Sequence, residues 1–426
     1  MKVSLPYGND RLSVEIPESN LVGVLRKGEA EPLDDVYEAV LRSLRSPIGK
    51  PPLGELLDQE DEIAIIVDDH TRPCPDDRLL PPLLEGIEES GVKRGDVKIV
   101  VAYGLHSPLE SDGLVELLGE EIVGDFEIVN HVPDETVNLG VSSRGVPIEV
   151  NKEVMDADFC ISTGLIEPHF FAGFSDGRKS IMPGVSSRRA IYGNHGYEMI
   201  ADPHSRPGEL EENPIYLDSI EHAERAGLDF ILNVTLTEDG QAADVVGGDP
   251  IAAHLEGAEA ERERALRKID HEADIVVTTN SGAPLDLDFY QTVKGIYHAS
   301  LATKKDGIIV VASECADGIG PREFRELHGR GSSPEEVIEI ISREEPIGVQ
   351  WENQLLAEVQ KNYDIYLKSS IDGESLEDFM VNSIDTVEEG LEKGFEKLGE
   401  GAEVVVIPSG PMVIPRVTDF INPDSK

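Results

Sequence analysis

Short apolar runs that alternate with helical patterns constrain the fold of this chain more than any other feature. Ile63–Val67 and Val404–Ile407 consist entirely of apolar residues, which is typical of strands buried on both faces of a sheet. Segments of similar character lie within residues 97–103, 126–131, 159–163, 273–279 and 307–312. Because strands that alternate with helices are usually joined by crossover connections, the sequence predicts an α/β protein with mainly parallel sheets.

The length of the chain, 426 residues, is sufficient for two α/β domains. We expect an N-terminal domain over residues 1–270 and a C-terminal domain over residues 271–400. The reason is that a strongly charged helical pattern at 251–270 precedes a new strand–loop–helix unit. Residues 401–426 contain several prolines, and we expect this C-terminal segment to return to the first domain.

The charge of the chain limits its partners and its source. Acidic residues number 84 against 37 basic ones, a net charge of −47. A nucleic acid partner is disfavoured, because its phosphates would be repelled. Acidity of this degree is also found in disordered chains, but the regular strand and helix patterns argue against disorder. At molar salt the Debye length falls to about 3 Å, which screens surface carboxylates from one another, so we expect a halophilic archaeal source.

Targeting and redox signals point to the cytoplasm. No run of about 18 apolar residues is present, so we expect no membrane partner. The N-terminal residues lack the apolar centre of a signal peptide, and we therefore expect a cytoplasmic protein. The three cysteines show no CxxC spacing, so they predict neither a zinc site nor a disulfide framework.

Polar residues follow three of the predicted strands, where ligands of parallel sheets gather. Asp69 and Arg72 follow the first strand, and His106 follows the second. Taken alone, Asp69 is also consistent with a helix N-cap and His106 with a structural histidine. The third strand leads into the glycine-rich segment Gly164–Gly196, which contains a possible base, metal ligand and nucleophilic amine: His169, His195 and Lys179.

A further cluster of polar residues is predicted in the C-terminal part. Gln291 and Lys294 lie three positions apart in a helical pattern, and Tyr290 lies four positions before Lys294. Residues at these spacings are neighbours on a helix surface. The alternative is that these polar residues have no binding role and only form the solvent-exposed face of a helix. Trp351 is the one tryptophan of the chain.

Taken together, these motifs resemble those of the lactate racemase family, in order and over essentially the whole chain. The resemblance implies two α/β domains with the active site in the cleft between them. It also implies an isomerase that racemises or epimerises a 2-hydroxy acid, lactate by default. The motifs that carry it are DDHTRP at 68–73, GLH at 104–106, IEPHFFAGFSDGRKSIMPG at 166–184, NHG at 194–196 and YQTVK at 290–294.

The resemblance implies a nickel-pincer nucleotide cofactor, Ni(II) pyridinium-3,5-bisthiocarboxylic acid mononucleotide. Lys179 matches the lysine that attaches the cofactor covalently, and His195 matches the protein ligand of Ni²⁺. Asp69 and Arg72 fall in motifs that bind the cofactor. A carbon, two sulfurs and an imidazole suit the tetragonal geometry that Ni²⁺ prefers. The resemblance also implies partner proteins that synthesise the cofactor.

The family's chemistry assigns roles to the remaining residues. A hydride leaves the substrate for the cofactor and returns to the opposite face, while a base takes the hydroxyl proton. Each enantiomer needs its own acid/base group, and His106 and His169 match these two groups. The residues that the resemblance implies for substrate contacts are Arg72, Tyr290, Gln291, Lys294 and Trp351.

Two other functions remain open at this point. A metal-dependent hydrolase would use His106, His169 and His195 as metal ligands, although HxH and HExxH spacings are absent. A non-catalytic carrier of the nickel cofactor would need Lys179 and His195 but not both acid/base histidines. Within the racemase interpretation, malate, other short 2-hydroxy acids and sugar acids are alternatives to lactate. A dinucleotide dehydrogenase is disfavoured, because no GxGxxG follows a predicted strand.

The net charge of −47 predicts that folding depends on salt. We expect dialysis from molar salt into dilute buffer to unfold the protein, because unscreened carboxylates repel one another more strongly in the compact state. Far-ultraviolet circular dichroism measures the loss, and restoring the salt tests whether it is reversible. A spectrum that is unchanged in dilute buffer would contradict the prediction.

Overall fold

The computed structural model describes residues 1–418 and divides the chain into two compact units. One unit contains residues 29–263, and the other contains residues 1–28 together with residues from 264 onward. This division differs from the predicted domains 1–270, 271–400 and 401–426. Leu21–Val24 pairs with Val404–Ile407, so both ends of the chain contribute to the sheet of the second unit. The described part of the C-terminal segment pairs with Leu21–Val24 and Leu266–Ile269, which the predicted bounds assigned to the first domain, but these strands belong to the same unit as the segment itself.

The strands of the described chain are numbered here in chain order. Their bounds are β1 Lys2–Tyr7, β2 Asp10–Glu15, β3 Leu21–Val24, β4 Ile63–Asp68, β5 Val97–Ala102, β6 Glu127–Asn130, β7 Thr136–Val141, β8 Pro147–Asn151, β9 Phe159–Leu165, β10 Pro168–His169, β11 Gly173–Phe174, β12 Leu228–Leu236, β13 Ala242–Gly248, β14 Leu266–Ile269, β15 Ala273–Thr279, β16 Thr303–Ala312, β17 Asp364–Lys368, β18 Asn382–Ile384, β19 Val404–Ile407 and β20 Ile414–Val417.

The helices are numbered in the same way. Their bounds are α1 Val36–Arg45, α2 Leu53–Leu56, α3 Asp76–Glu89, α4 Ser111–Leu118, α5 Glu120–Asp125, α6 Lys152–Met155, α7 Arg188–Asn194, α8 Tyr197–Ile200, α9 Pro214–Ala226, α10 Ala252–Ala265, α11 Phe289–Ser300, α12 Arg322–His328, α13 Pro334–Arg343, α14 Gln350–Gln360, α15 Gly373–Glu377 and α16 Val387–Leu398. Short 3₁₀ helices cover Arg94–Asp96, Gly177–Ser180 and Gly410–Met412. None of the described helices is long and apolar enough to cross a membrane.

The unit 29–263 is built on a six-stranded sheet with the order β13-β12-β9-β4-β5-β6. Its neighbouring strands are parallel except for β12 and β13. Ile63, Ile65 and Val67 of β4 belong to a core that includes apolar residues of α1 and α3. Ile66 belongs to a second core that includes residues of α6 and α9. The prediction of strands buried on both faces is therefore confirmed for β4.

The second unit contains a six-stranded parallel sheet with the order β18-β17-β16-β15-β19-β3. The hairpin β1–β2 packs its apolar residues against this sheet, in one core with Val277 and Val310. The helix predicted for residues 251–270 ends at Ala265, and Leu266–Ile269 instead forms a parallel ladder with Ile414–Val417.

Strand order positions the motifs of the unit 29–263. Strands β9, β4 and β5 are neighbours in the sheet and run in parallel. Their carboxyl ends therefore lie along one edge. The segments that begin at Asp69, Tyr103 and Ile166 each leave the sheet at that edge, so the three sequence motifs converge there.

Candidate active site

A carboxylate–histidine pair joins the first two motifs. The Nδ1–H of His106 donates to Asp69 Oδ2 at 2.7 Å. Thr71 donates to Asp69 Oδ1 from its backbone N–H at 3.0 Å and its hydroxyl at 2.6 Å. Burial alone would raise the pKa of Asp69, but the hydrogen bonds from His106 and Thr71 lower it to about 2. An ionised Asp69 keeps the His106 proton on Nδ1, so the neutral ring presents a lone pair at Nε2.

Helix capping does not explain Asp69. Helix α3 begins at Asp76, and the residue in its N-cap position is Pro75. Asp69 is buried in the described structure, while the side chain of His106 is 47% exposed. The capping alternative is therefore wrong. The carboxylate instead accepts hydrogen bonds from His106 and from Thr71.

Arg72 forms an ion pair with Glu167, a residue that was not identified from the sequence. Its Nη1 forms an ion pair with Glu167 Oε1, and Glu167 is almost fully buried. The backbone N–H of Glu167 donates to Ser175 Oγ at 2.9 Å. Arg72 is thereby tied to the segment that carries His169. Glu167 lies in the IEPH motif beside His169, and this position was the signal that could have identified it.

The neutral ring of His169 carries its proton on the other nitrogen from that of His106. It is buried, and its Nδ1 accepts the backbone N–H of Ala172 at 3.2 Å. The neutral ring must therefore carry its proton on Nε2. The tight return after His169 needs glycine at position 173, where φ is +79° and a Cβ atom would lie 2.2 Å from the carbonyl oxygen of Glu209.

Lys179 lies in the 3₁₀ helix Gly177–Ser180 and is buried. Burial, followed by the nearby charges of Arg178 and Arg72, holds the pKa of Lys179 well below its usual value. A buried lysine with this shift spends more of its time as the neutral, nucleophilic amine. Lys179 is therefore not an exposed surface lysine.

Three further aspartates near this segment, the half-buried Asp68 and the buried Asp76 and Asp176, were not identified from the sequence. Burial raises the pKa of Asp68 to about 6 and that of Asp76 to about 7, and it raises the pKa of Asp176 well above its usual value. The charge of Asp68 adds to the rise in the pKa of Asp176. Asp176 Oδ1 accepts hydrogen bonds from the backbone N–H of Gly177 at 2.7 Å and from Asn233 Nδ2 at 2.9 Å. For Asp68 and Asp176, the only sequence signal was their position in the motifs DDHTRP and SDGRK.

His195 is buried at the carboxyl end of α7. Its Nδ1 lies 2.8 Å from Asn194 Oδ1, and its ring makes an edge contact with Phe171 at 4.9 Å between centroids. Burial, followed by the charge of Lys179, holds the pKa of His195 well below its usual value. The ring is therefore neutral, which is the form that coordinates metals.

The other unit brings together the second set of predicted residues. Lys294 Nζ donates to Gln291 Oε1 at 2.5 Å on α11, as the predicted helix face requires. The buried Tyr290 lies near Trp351 and Glu352 of α14, and both side chains influence its pKa, which burial raises well above its usual value. Tyr290 and Trp351 are thus in one cluster, although the sequence around Trp351 gave no independent support for it.

Glu352 is a further residue that was not identified from the sequence. Its side chain is buried, and burial raises its pKa to about 8, against the opposing effects of Lys294 and Tyr290. A buried acid between a tyrosine and a lysine is typical of functional clusters.

Comparisons with known proteins agree over nearly the whole chain. A family model described as lactate racemase N-terminal domain matches residues 7–208, and one described as lactate racemase C-terminal domain matches residues 269–415. A lactate racemase from Thermoanaerobacterium thermosaccharolyticum is 36% identical over 423 residues, which is 97% of this chain and 99% of the relative. The lactate racemase of Lactiplantibacillus plantarum is 35% identical over 422 residues, with the same coverage.

This chain belongs to the lactate racemase family. The apoprotein structure of the Thermoanaerobacterium enzyme superposes with a TM-score of 0.93 at 35% identity and covers 98% of this chain and 100% of that one. A Thermotoga maritima protein at 18% identity has a TM-score of 0.70, covers 92% of this chain and all of the other, and shares the fold. The predicted α/β class, with two units and mainly parallel sheets, is confirmed, as is the predicted enzyme class, an isomerase of the racemase type.

Membership of the lactate racemase family implies a nickel-dependent cofactor, and two side chains fit one. The hydrogen bond between Asn194 Oδ1 and His195 Nδ1 leaves Nε2 as the lone-pair donor of a neutral ring. The buried Lys179 amine has a depressed pKa. Within residues 1–418, no group of three His, Cys, Asp or Glu side chains is placed to hold a metal ion.

The buried Asp76 predicts a pH dependence of stability. Its folded pKa, about 7, exceeds the usual unfolded value of about 3.9. The unfolded chain therefore loses this proton first, and stability falls as the pH rises from about 4 to about 7. Asp76→Asn removes the titration, so we expect its stability relative to the parent to improve by roughly 1–4 kcal/mol between pH 4 and pH 8.

Urea denaturation at both pH values, in high salt, measures this difference. The exposed neighbour provides a matched control, since Asp77→Asn makes the same chemical change outside the core. The hydrogen bond from Thr163 Oγ to Asp76 Oδ1 at 2.6 Å is compatible with an amide oxygen. Equal effects of Asp76→Asn at pH 4 and pH 8 would contradict the assignment.

Proposed function

We propose that this racemase inverts the hydroxyl-bearing carbon of a short 2-hydroxy acid, with lactate as the default substrate. The observation that carries the proposal is the complementary state of its two candidate acid/base histidines. His106 donates from Nδ1 to Asp69 and offers a lone pair at Nε2, whereas His169 accepts at Nδ1 and carries its proton on Nε2. The two rings therefore present different faces at Nε2: a lone pair on His106 and a proton on His169.

This pairing meets the demand of racemisation. In one direction His106 accepts the hydroxyl proton of the substrate at Nε2. His169, as an imidazolium that has exchanged the hydrogen bond from Ala172 for a second proton on Nδ1, then donates its Nε2 proton to the oxygen of the planar keto acid after that intermediate has turned. This transfer leaves His169 as a neutral ring. In the other direction the two residues exchange roles. An imidazole suits both tasks, because its usual pKa of about 6.5 allows it to accept and donate protons near neutrality.

We assign the cofactor site to four residues of the unit 29–263. When bound, a nickel-pincer nucleotide supplies a hydride acceptor and a Ni²⁺ ion. The neutral amine of Lys179 supports covalent attachment, because an amine must be unprotonated to form an amide. The neutral ring of His195 supports a role as nickel ligand. Asp69 and Arg72 lie at the same sheet edge and are assigned to the binding of the cofactor.

The proposed substrate contacts are Arg72, Tyr290, Gln291, Lys294 and Trp351. Arg72 has five N–H donors, of which Nη1 already bonds Glu167, so it approaches a substrate carboxylate with its remaining donors. Gln291 and Lys294 supply an amide and an ammonium group from one helix face. Tyr290, Trp351 and Glu352 lie in one cluster, in which Tyr290 and Glu352 are buried.

The two alternative functions make different demands. A metal-dependent hydrolase built on His106, His169 and His195 needs these side chains to converge, and within residues 1–418 no such metal-binding group is formed. A carrier of the nickel cofactor needs Lys179 and His195 only. The buried carboxylate partner of His106 has no use in a carrier, which favours the racemase.

Enzyme from a host that synthesises the nickel cofactor tests the proposal. We expect it to convert either enantiomer of lactate, or of another short 2-hydroxy acid, to a racemic mixture in a chiral chromatography assay. His106→Asn and His169→Asn should each lower the rate by at least about 100-fold in both directions, because each direction uses both rings. Protein from a host without the cofactor pathway should be inactive.

The exposed His271 provides the matched control for these variants. His271→Asn should keep the parent rate, and all variants should carry the same amount of nickel. Full activity of His106→Asn or His169→Asn would contradict the acid/base roles. A loaded parent that racemises no 2-hydroxy acid would favour the carrier.

A further inference from the structure

A buried chain of hydrogen bonds extends from the candidate nickel ligand into the core of its unit. Asn194 Oδ1 lies 2.8 Å from His195 Nδ1. On its other side, Asn194 Nδ2 donates to Asp218 Oδ2 at 2.8 Å and to the carbonyl oxygen of Ile215 at 3.3 Å. Asn194 and Asp218 are fully buried. Sequence analysis identified neither residue as functional.

The chemistry of these partners determines which way the Asn194 amide faces. The carboxylate of Asp218 and the carbonyl of Ile215 can only accept hydrogen bonds. The amide nitrogen, with its two hydrogens, must therefore face them, and the amide oxygen must face His195. The orientation follows from the donors and acceptors, so it does not depend on distinguishing oxygen from nitrogen by position. An oxygen facing His195 requires a hydrogen on Nδ1.

Asp218 is itself held as an acceptor. Ser142 Oγ lies 2.5 Å from Asp218 Oδ1, and the backbone N–H groups of Arg144 and Val146 donate to that hydroxyl oxygen. The hydroxyl proton of Ser142 is thus directed to Asp218. His222 Nε2 lies 3.4 Å from Asp218 Oδ2. Burial alone would raise the pKa of Asp218, but the hydrogen bonds from these neighbours lower it.

We propose that Asp218, acting through Asn194, is a positioning residue that fixes the tautomer of His195. The ionised carboxylate orients the amide, the amide oxygen takes the Nδ1 hydrogen, and Nε2 is left as the metal-binding atom. The consequence for nickel rests on the proposed function, whereas the tautomer itself does not. Outer partners of this kind commonly change metal affinity by about 10- to 100-fold.

A second histidine in the same unit shows the reverse arrangement. His131 Nε2 donates to the carbonyl oxygen of Ser186 at 2.9 Å, and His131 Nδ1 accepts from Asn151 Nδ2 at 3.0 Å. Asn151 Oδ1 accepts the backbone N–H of Glu153 at 2.8 Å, so its nitrogen faces the ring. Both histidines contact an asparagine, but opposite amide orientations give opposite tautomers. His131 is therefore a control within the same molecule.

Nuclear magnetic resonance of the full chain, labelled with ¹⁵N-histidine and prepared without cofactor, tests the tautomer directly. We expect a protonated Nδ1 for His195 and a protonated Nε2 for His131, with signals assigned by His195→Gln and His131→Gln. Asp218→Asn removes the acceptor-only partner, and Asn194→Ala removes the amide. In each variant His195 should populate the Nε2–H form, while an unchanged His131 signal shows that the fold is intact.

Protonated Nε2 on His195 in the parent would overturn the proposal. A fully protonated Nδ1 that persists in Asn194→Ala would also overturn the proposal. If Asp218→Asn does not fold, the result for Asn194→Ala decides the test. Nickel retention during chelator dialysis of cofactor-loaded protein supplies the second measurement, with about 10-fold or faster loss expected for Asp218→Asn. A shifted tautomer with unchanged nickel loss would also overturn the positioning role. A parent that takes up no nickel would contradict the proposed function and leave the tautomer result standing.

Discussion

The removal of water from the segment Gly164–Gly196 is the constraint on which the candidate site depends. Nearly every side chain from Leu165 to Ser187 is buried. In such surroundings a charge is costly unless a specific partner stabilises it. The pKa of Lys179 and that of His195 both fall well below their usual values. Desolvation thus produces a neutral amine and a neutral imidazole, which are the forms that amide formation and metal binding require.

Hydrogen bonds then decide which atoms remain reactive. Arg178 is fully enclosed, and it holds the segment together by donating to the carbonyl oxygens of Ala172, Phe174 and Asp176 at 2.9 to 3.0 Å. Around this support, each histidine meets a different partner: a carboxylate for His106, a backbone N–H for His169 and an amide oxygen for His195. Burial sets the charge of Lys179 and His195, and for each of the three histidines the hydrogen-bond partner sets the position of the proton.

Much of the fold and the site could be predicted from local sequence. Uninterrupted apolar runs such as Ile63–Val67 identify buried strands, and polar motifs after such strands must meet at one sheet edge. Partners brought by distant segments leave no local signal. Asp218 reaches Asn194 from another helix, and Glu352 reaches Tyr290 in the same way. The domain bounds were mistaken for a similar reason, because the edge strand Leu21–Val24 joins a sheet formed almost 250 residues later.

The most direct test of the account is the mass of the tryptic peptide that contains Lys179, from protein purified in high salt from a cofactor-producing host. The account predicts a nucleotide-sized addition on Lys179, with nickel present in the intact protein. A lactate racemase expressed in the same host shows that the cofactor was available. An unmodified Lys179 in folded protein from that host would contradict the claim that this buried amine is the point of cofactor attachment.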